Sequence, residues 1–460
     1  MNLKTLSISI ILASLPTSAT FAAALDRSGQ SMQSFLQPGN YVEAGVSVLD
    51  ANVSGKMSSN YSATGSPNKN IGANLRGTEL GDMAESYYFP SAALKVQIND
   101  HFSAGLIYDQ PFGANAKYSI NDTKHKGTLE ANLANKQVGA FTAGGEATEV
   151  EVHTQSLSLI MGYQPTANWN IYAGPIYQTV KGEVKLRGSA YGPLGGVNCP
   201  LTCNANSNIQ GIKPNQQFQG YEANISENSS FGWLAGFAYQ IPEIALKTSL
   251  TYRSEIKHEV NAEETMPWST LMGSSVPQMK ENFNFGSSKT KITTPQSINL
   301  DFQTGIMENT VAFAQLRWVD WSNFTIRPYK FGQLASGLTN ATIKNPRGFD
   351  LIAYEKDQIS ANLGVGRKFN DKWAGTVMVG WDSGAGNPVS TLGPTEGYWS
   401  LGLGGQYNAT PQSFIQAGVK YFWLGDAQSQ VASHFGTDQY VAEFENNHAI
   451  GYSMKIGYKF

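Results

Sequence analysis

From residue 40 to Phe460 the chain is built from runs of about ten residues in which apolar and polar side chains alternate. No window reaches the roughly 18 consecutive apolar residues that a membrane-spanning helix requires. A period of two sends successive side chains to opposite faces of a strand. The final run is the cleanest. Ile450, Tyr452, Met454, Ile456, Tyr458 and Phe460 share one face, while Gly451, Ser453, Lys455, Gly457 and Lys459 share the other. One such run is weak evidence, but its recurrence along the chain points to strands with oil on one side and a wet lumen on the other. Besides helices, only a strand ladder closed into a barrel satisfies its own backbone polar groups in lipid.

The connections support this reading. Tight polar turns occur at 99–101, 165–168, 242–243, 307–309, 370–372 and 409–411, each followed by a new alternating run. Longer polar or Gly-rich stretches lie near 56–85, 120–150, 188–228, 262–290, 330–350, 383–397 and 426–447. Short turns alternating with long loops predict about fourteen strands, with both termini on the short-turn side. The predicted strands are 40–55, 86–98, 102–119, 151–163, 169–187, 229–241, 244–261, 291–305, 310–327, 351–369, 373–382, 398–407, 413–426 and 447–460. Trp381, Trp399, Tyr421 and Trp423 fall near loop ends, where interfacial aromatic girdles sit. A soluble β-helix or sandwich would not need an apolar outer face repeated in this way.

The chain contains 47 Gly, 21 Tyr and 22 Phe but only 15% charged residues, which suits many strands bearing aromatic girdles. A net charge of −3 offers nothing to nucleic acid. Lys4, an apolar stretch at 6–15 interrupted by Pro16, and small residues at 18–24 predict a secretory signal peptide over 1–24. A short plug segment is then expected at 25–39, ahead of a barrel over 40–460. Cys199 and Cys203 are predicted to clip a loop as a disulfide, since an exported chain meets an oxidising compartment. With no His within about twenty residues they do not make a zinc site, so neither metal nor cofactor is expected. The six His, at 101, 125, 153, 258, 434 and 448, show no triad-like spacing, and an enzyme is not expected.

Four stretches resemble the FadL-like long-chain fatty-acid transporters of the outer membrane. They are Ser249-Leu250-Thr251-Tyr252-Arg253-Ser254-Glu255-Ile256-Lys257; Ile98 to Phe102 leading to Tyr108-Asp109-Gln110-Pro111-Phe112-Gly113; Trp318 to Phe324; and Trp381-Asp382-Ser383 through Gly397-Tyr398-Trp399-Ser400-Leu401. The resemblance implies a monomeric fourteen-strand barrel that passes hydrophobic molecules inward. The chain departs from the family in one respect: its better-known members carry a longer plug with an Asn-Pro-Ala element, whereas here only residues 25–39 precede the first strand.

The expected transport chemistry has three parts. Pro111 lacks a ladder donor and Gly113 permits a bulge. The resemblance assigns the lateral opening to a kink in this strand, here Gln110, Pro111, Phe112 and Gly113. Ligand capture is expected in an apolar groove between two loops, at Met266, Trp268, Leu271 and Met272 on one side and Leu194 and Phe218 on the other; Met supplies a deformable surface. Period two, counted from Leu250 and Tyr252 facing lipid, turns Lys247, Arg253, Glu255 and Lys257 inward, and likewise Arg317 and Lys420. Arg253, Arg317 and Lys420 are the lumen cations that a carboxylate tail would meet. The expected partners are long-chain fatty acids or other hydrophobic small molecules and outer-membrane lipid. The alternative is a general porin or surface receptor barrel without hydrophobic specificity.

Overall fold

A computed structural model describes residues 25–64, 72–119, 138–196, 219–267, 285–343, 346–435 and 437–460, with backbone only at 340–343. The fourteen barrel strands are β1 (Tyr41–Asn52), β2 (Tyr87–Gln97), β3 (Phe102–Asp109, resuming as Gly113–Lys117), β4 (Glu149–Thr166), β5 (Trp169–Lys185) and β6 (Glu222–Ile241); β7 (Leu246–Arg253, then Ile256–Thr265) and β8 (Gly286–Thr294, then Ser297–Met307); and β9 (Thr310–Val319), β10 (Gln358–Lys368), β11 (Trp373–Asp382), β12 (Tyr398–Asn408), β13 (Ser413–Leu424) and β14 (His448–Lys459). Each pairs antiparallel with its neighbour in sequence. The cylinder closes where β1 runs along β14, from Tyr41 opposite Lys459 to Asn52 opposite His448.

The alternation read from the sequence is the alternation of exposure. On β12, Trp399, Leu401 and Leu403 face outward, while Ser400 and Gln406 are buried in the lumen. Trp381, Trp399 and Trp423 stand side by side across β11, β12 and β13 as part of an outer girdle.

Three departures from the sequence reading have local causes. The strand expected at 229–241 begins earlier, at Glu222, because its upper end pairs with the long β5. The strand expected at 351–369 begins only at Gln358, because the residues before it join the loop core through Leu351 and Ile352. Glu255 and Lys257 point outward rather than into the lumen, with Lys257 exposed. The alternation slips at Ser254–Glu255: Arg253 is buried on one side of the slip, Ile256 and His258 on the other. This slip turns every later residue of the strand over.

The long loops form a cap with a core of its own. Gly55–Met57, Glu79–Leu80, Val389–Ser390, Ala427–Gln430 and Ala442–Phe444 make a small five-stranded sheet. Beneath it, Phe112, Trp321, Phe324, Tyr398 and Phe422 belong to one buried apolar cluster. The stretch expected to be loop near 330–350 contains a helix, α1 (Tyr329–Ile343). Its first turn is held by the buried Glu264, which accepts the backbone N–H of Lys330 (2.9 Å) and of Phe331 (2.7 Å) and also a bond from Tyr221 Oη (2.9 Å).

Leu403 lies mid-strand on the lipid face. Leu403→Arg is expected to destabilise the folded barrel by about 2–4 kcal/mol, read as a lowered denaturant midpoint for refolding into lipid vesicles; an unchanged midpoint would contradict this membrane placement.

Candidate functional site

Residues 25–40 run through the lumen and are held on two sides. On the β8–β9 side the contacts are polar. Arg317 Nε donates to Asp26 Oδ2 at 2.7 Å, and both side chains are almost fully buried. Arg317 also donates to Asn299 Oδ1 (2.7 Å) and Gln30 Oε1 (3.1 Å), and Asn299 Nδ2 donates to the Gly29 carbonyl (2.7 Å). From β7, at the edge of this polar side, Arg253 donates to the Gln30 carbonyl at 3.3 Å. On the β2–β7 side the contacts are apolar: Met32, Phe35 and Leu36 pack with Ile107, Ile160, Tyr172, Ile176, Leu234 and Ile256. Lower down, Lys247 Nζ donates to the Leu36 carbonyl (2.6 Å) and Lys95 Nζ to the Gln37 carbonyl (2.7 Å).

The expected lumen cations do all face inward, but two of them are engaged by this plug. Arg253 and Arg317 grip its backbone and its carboxylate. Lys420 lies across the lumen, donating to Asn362 Oδ1 (3.1 Å) beneath the rings of Tyr398 and Phe422. Between the plug and the β9–β12 wall lies a polar cavity of about 30 Å³, bordered by Asp26, Arg317, Asn362, Asp382 and Tyr398. That is room for a water or two, not for an alkyl chain.

The third strand is broken where the sequence suggested. β2 and β3 pair only from Gln97–Ser103 up to Ala92–Tyr108. Above that pair, Tyr87–Ser91 of β2 lack a β3 partner, and the chain at Gln110–Pro111 leaves the strand. The chains meet again further up, where Ala84 pairs with Ala116, and the kink itself is lined from within. Gly113 N–H donates to the Leu25 carbonyl (2.8 Å), and Arg27 N–H donates to the Pro111 carbonyl (2.7 Å), so residues 25–27 add as a short strand along the kink. Thr154 satisfies Phe112, its Oγ accepting the Phe112 N–H (2.8 Å) and donating to the Phe112 carbonyl (2.7 Å). Gly113 is required by close approach: a Cβ there would lie 2.4 Å from Tyr87 Oη. The Phe112 ring meets Trp321 edge-on at 5.5 Å, buried beneath the cap. Gln110 is half-buried beside Tyr108.

Of the expected groove residues, Met266 and Leu194 belong to the buried apolar cluster of the cap. Trp268, Leu271, Met272 and Phe218 lie outside the described residues, as do Cys199, Cys203 and the segment 1–24. Sequence reasoning missed the plug's own contributions, above all Asp26, Arg27 and Gln30. The only local signal was a charged pair, Asp26-Arg27, in an otherwise uncharged segment.

A lipid-belted cylinder with an internal plug and a wall broken at one strand defines a transport barrel of the bacterial outer membrane. A model of the family described as outer membrane protein transport protein (OMPP1/FadL/TodX) matches residues 22–460, and the chain belongs to that family. It is therefore an outer-membrane uptake channel for hydrophobic compounds. Two solved structures share the fold. The Pseudomonas aeruginosa FadL homologue has a TM-score of 0.62 at 16% identity, covering 92% of this chain and 91% of that one. The P. putida toluene transporter TodX has a TM-score of 0.54 at 14% identity, covering 93% and 91%. No curated protein matches the sequence.

Asp26→Ala leaves the buried Arg317 guanidinium without its carboxylate, a loss of about 3–5 kcal/mol where such pairs are broken. Hydrogen exchange over residues 25–30 is expected to accelerate strongly while the barrel strands stay protected; unchanged exchange would show that the ion pair does not hold the plug.

Proposed function

We propose that this channel takes up long-chain fatty acids or closely related hydrophobic molecules, captured in an apolar groove between the loops at 188–228 and 262–290 and released sideways at Gln110–Gly113 into the membrane. The observation that carries the reading is the interruption of the β2–β3 ladder above Ala92–Tyr108, where residues 25–27 pair with the kink at Pro111–Gly113 from the lumen side. Backbone exposed to lipid must be satisfied. A detachable internal segment meets that need at rest, and its withdrawal leaves a gap that an apolar molecule can cross without entering water. The cavity beside the plug at Asp26 and Arg317 is too small for a chain-length ligand, so a ligand reaching that point would have to displace the plug. Arg253 and Arg317 become available to a carboxylate only when Gln30 and Asp26 leave them. The same engagement favours a second reading, in which the cargo has no carboxylate at all; the likeness in fold to a toluene transporter is in keeping with it. A general porin for polar solutes is the poorer account, since it would need an open aqueous lumen.

Growth of a deletion strain on oleate as sole carbon source, with and without the gene restored, tests the substrate. Restored growth is the expected result, and growth indifferent to the gene would leave the second reading. A Pro111→Ala and Gly113→Val double variant is expected to cut uptake of apolar cargo several-fold while the barrel still assembles, as judged by heat-modifiable gel migration. Equal uptake would place the exit elsewhere.

A further inference from the structure

The wall has another interruption, between β6 and β7. These strands are paired at the periplasmic end, from Ile241–Leu246 up to Leu234–Arg253, and again at the outer end, from Ile225–Ala262 to Glu222–Thr265. Between the two stretches, residues 226–233 face 254–261 with no ladder pair among the described residues. The split is bounded by a bulge on each strand. Both paired ends keep one register, in which facing residue numbers sum to 487 (234 + 253 and 222 + 265). In β6, Ala223 and Ile225 point inward, then a bulge at Ser226–Glu227 reverses the faces so that Leu234 and Ala238 point inward. In β7 the reversal comes at the other end of the stretch, at Ser254–Glu255. A bulge shifts the register by one residue, as this one does against β5, where Val180–Asn228 is followed by Gly182–Ile225. Between the reversals even-numbered residues therefore point inward on both strands, with Gly232 beside Ile256, and the two bulges bound the stretch without ladder pairs.

At its lower edge the Ser254 N–H donates to the Trp233 carbonyl (3.0 Å), and above that side chains bridge the split. Ser230 Oγ donates to the Lys257 carbonyl (2.7 Å) and Asn228 Nδ2 to the Glu259 carbonyl (3.1 Å), and Ser254 Oγ accepts the Trp233 N–H (3.0 Å). The outer end is polar, with the buried His258 between Asn228 (3.3 Å) and Gln178 (3.2 Å). The lower end is apolar. Phe231, 72% exposed, and Trp233 face the lipid, below the exposed charges of Lys257, Glu259 and Lys289 that mark the headgroup level. Gly232 leaves no room for a side chain, since a Cβ would lie 2.5 Å from Ile256 Cγ1. Behind it, Leu234, Ile256 and Ile176 continue into the apolar cluster around Phe35 of the plug.

We propose that this split is a second lateral passage, by which uncharged apolar molecules dissolved in the outer leaflet enter the lumen between Phe231 and Ile256. It rests on the hydrophobic-uptake reading above and adds a route that begins in the membrane rather than at the loops. The side-chain bridges exchange partners without unzipping a ladder, and an apolar surface continues from the lipid face to the plug.

The test uses the whole protein in lipid nanodiscs, with an alkyl aryl-diazirine lacking any charged group dissolved in the bilayer. Irradiation followed by mass spectrometry is expected to place adducts on the inward-facing Leu234, Ile256 and Ile176 as well as on Phe231 and Trp233; adducts on outward-facing residues alone would overturn the proposal. In an Asn228→Cys, His258→Cys double variant, oxidation should reduce the inward adducts several-fold, reductant should restore them, and labelling near Phe112 should stay constant. Inward labelling unchanged by a disulfide confirmed in the spectrum would also overturn it. Hydrogen exchange on the unaltered protein gives an independent check: seam-facing amides of 228–232 and 256–260 should exchange far faster than those of 234–241, and equal protection would refute the open seam. Labelling does not require transport, so failure of growth on oleate with seam labelling retained would reject the fatty-acid reading alone.

Discussion

Backbone groups in the hydrocarbon of a bilayer have no water to turn to, and the rest of this molecule follows from how that demand is met. Over most of the circumference the closed antiparallel ladder meets it, sealed by the β1–β14 pairing. Where the ladder gives way, other groups stand in, as two places show. At the kink of β3, residues 25–27 bond to the backbone of Pro111 and Gly113, and Thr154 supplies both a donor and an acceptor to Phe112. Between β6 and β7, the side chains of Ser230, Asn228 and Ser254 do so. Ladder pairs are lost only cooperatively, whereas these substitutes can be withdrawn locally. Openings in a sealed wall are expected where the seal is made of such replaceable parts.

The plug ties those places to the lumen charges. Arg317 and Asp26 are both almost fully buried, which is tolerable because they pair with each other and Arg317 also finds Asn299 and Gln30. Removing the plug therefore exposes guanidinium groups that must find another acceptor or water. A ligand bearing a carboxylate would compensate them directly; a neutral hydrocarbon would not. The charge of the cargo thus bears on how readily the plug leaves, through one buried ion pair far along the chain from the kink it also occupies.

Above the lumen, the loops behave as a small folded domain rather than as free tethers. Three of them share a sheet, and α1 is nucleated by a carboxylate from β7, since Glu264 occupies the first-turn N–H groups of Lys330 and Phe331. The helix contains Gly332, Gly337 and several Ser, Thr and Asn, so its own propensity is poor and its stability comes from this cap and from burying Phe331 and Leu334. Met266, two residues beyond Glu264, is fixed in the same packing. A capture surface built on these loops would have a rigid floor.

The sequence alone was enough for the cylinder: period-two alternation, short turns between long loops and an apolar lipid face are local signals, and they predicted fourteen strands, the outer girdle of Trp381, Trp399 and Trp423, and the break at Pro111–Gly113. Local signals also turned Arg253, Arg317 and Lys420 inward, because alternation holds up to each of them. They failed for Glu255 and Lys257, where one slip at Ser254–Glu255 inverts the face, and a slip leaves no mark in composition. They could not show that Asp26 lies against Arg317, or that residues 25–27 pair with a strand more than eighty positions away, since both depend on where the closed barrel brings distant backbone together. The same holds for α1 and the split between β6 and β7. The first requires a cap from another strand, and the second lies between two displaced bulges, one on each strand, which come to face one stretch of wall only once the strands lie side by side.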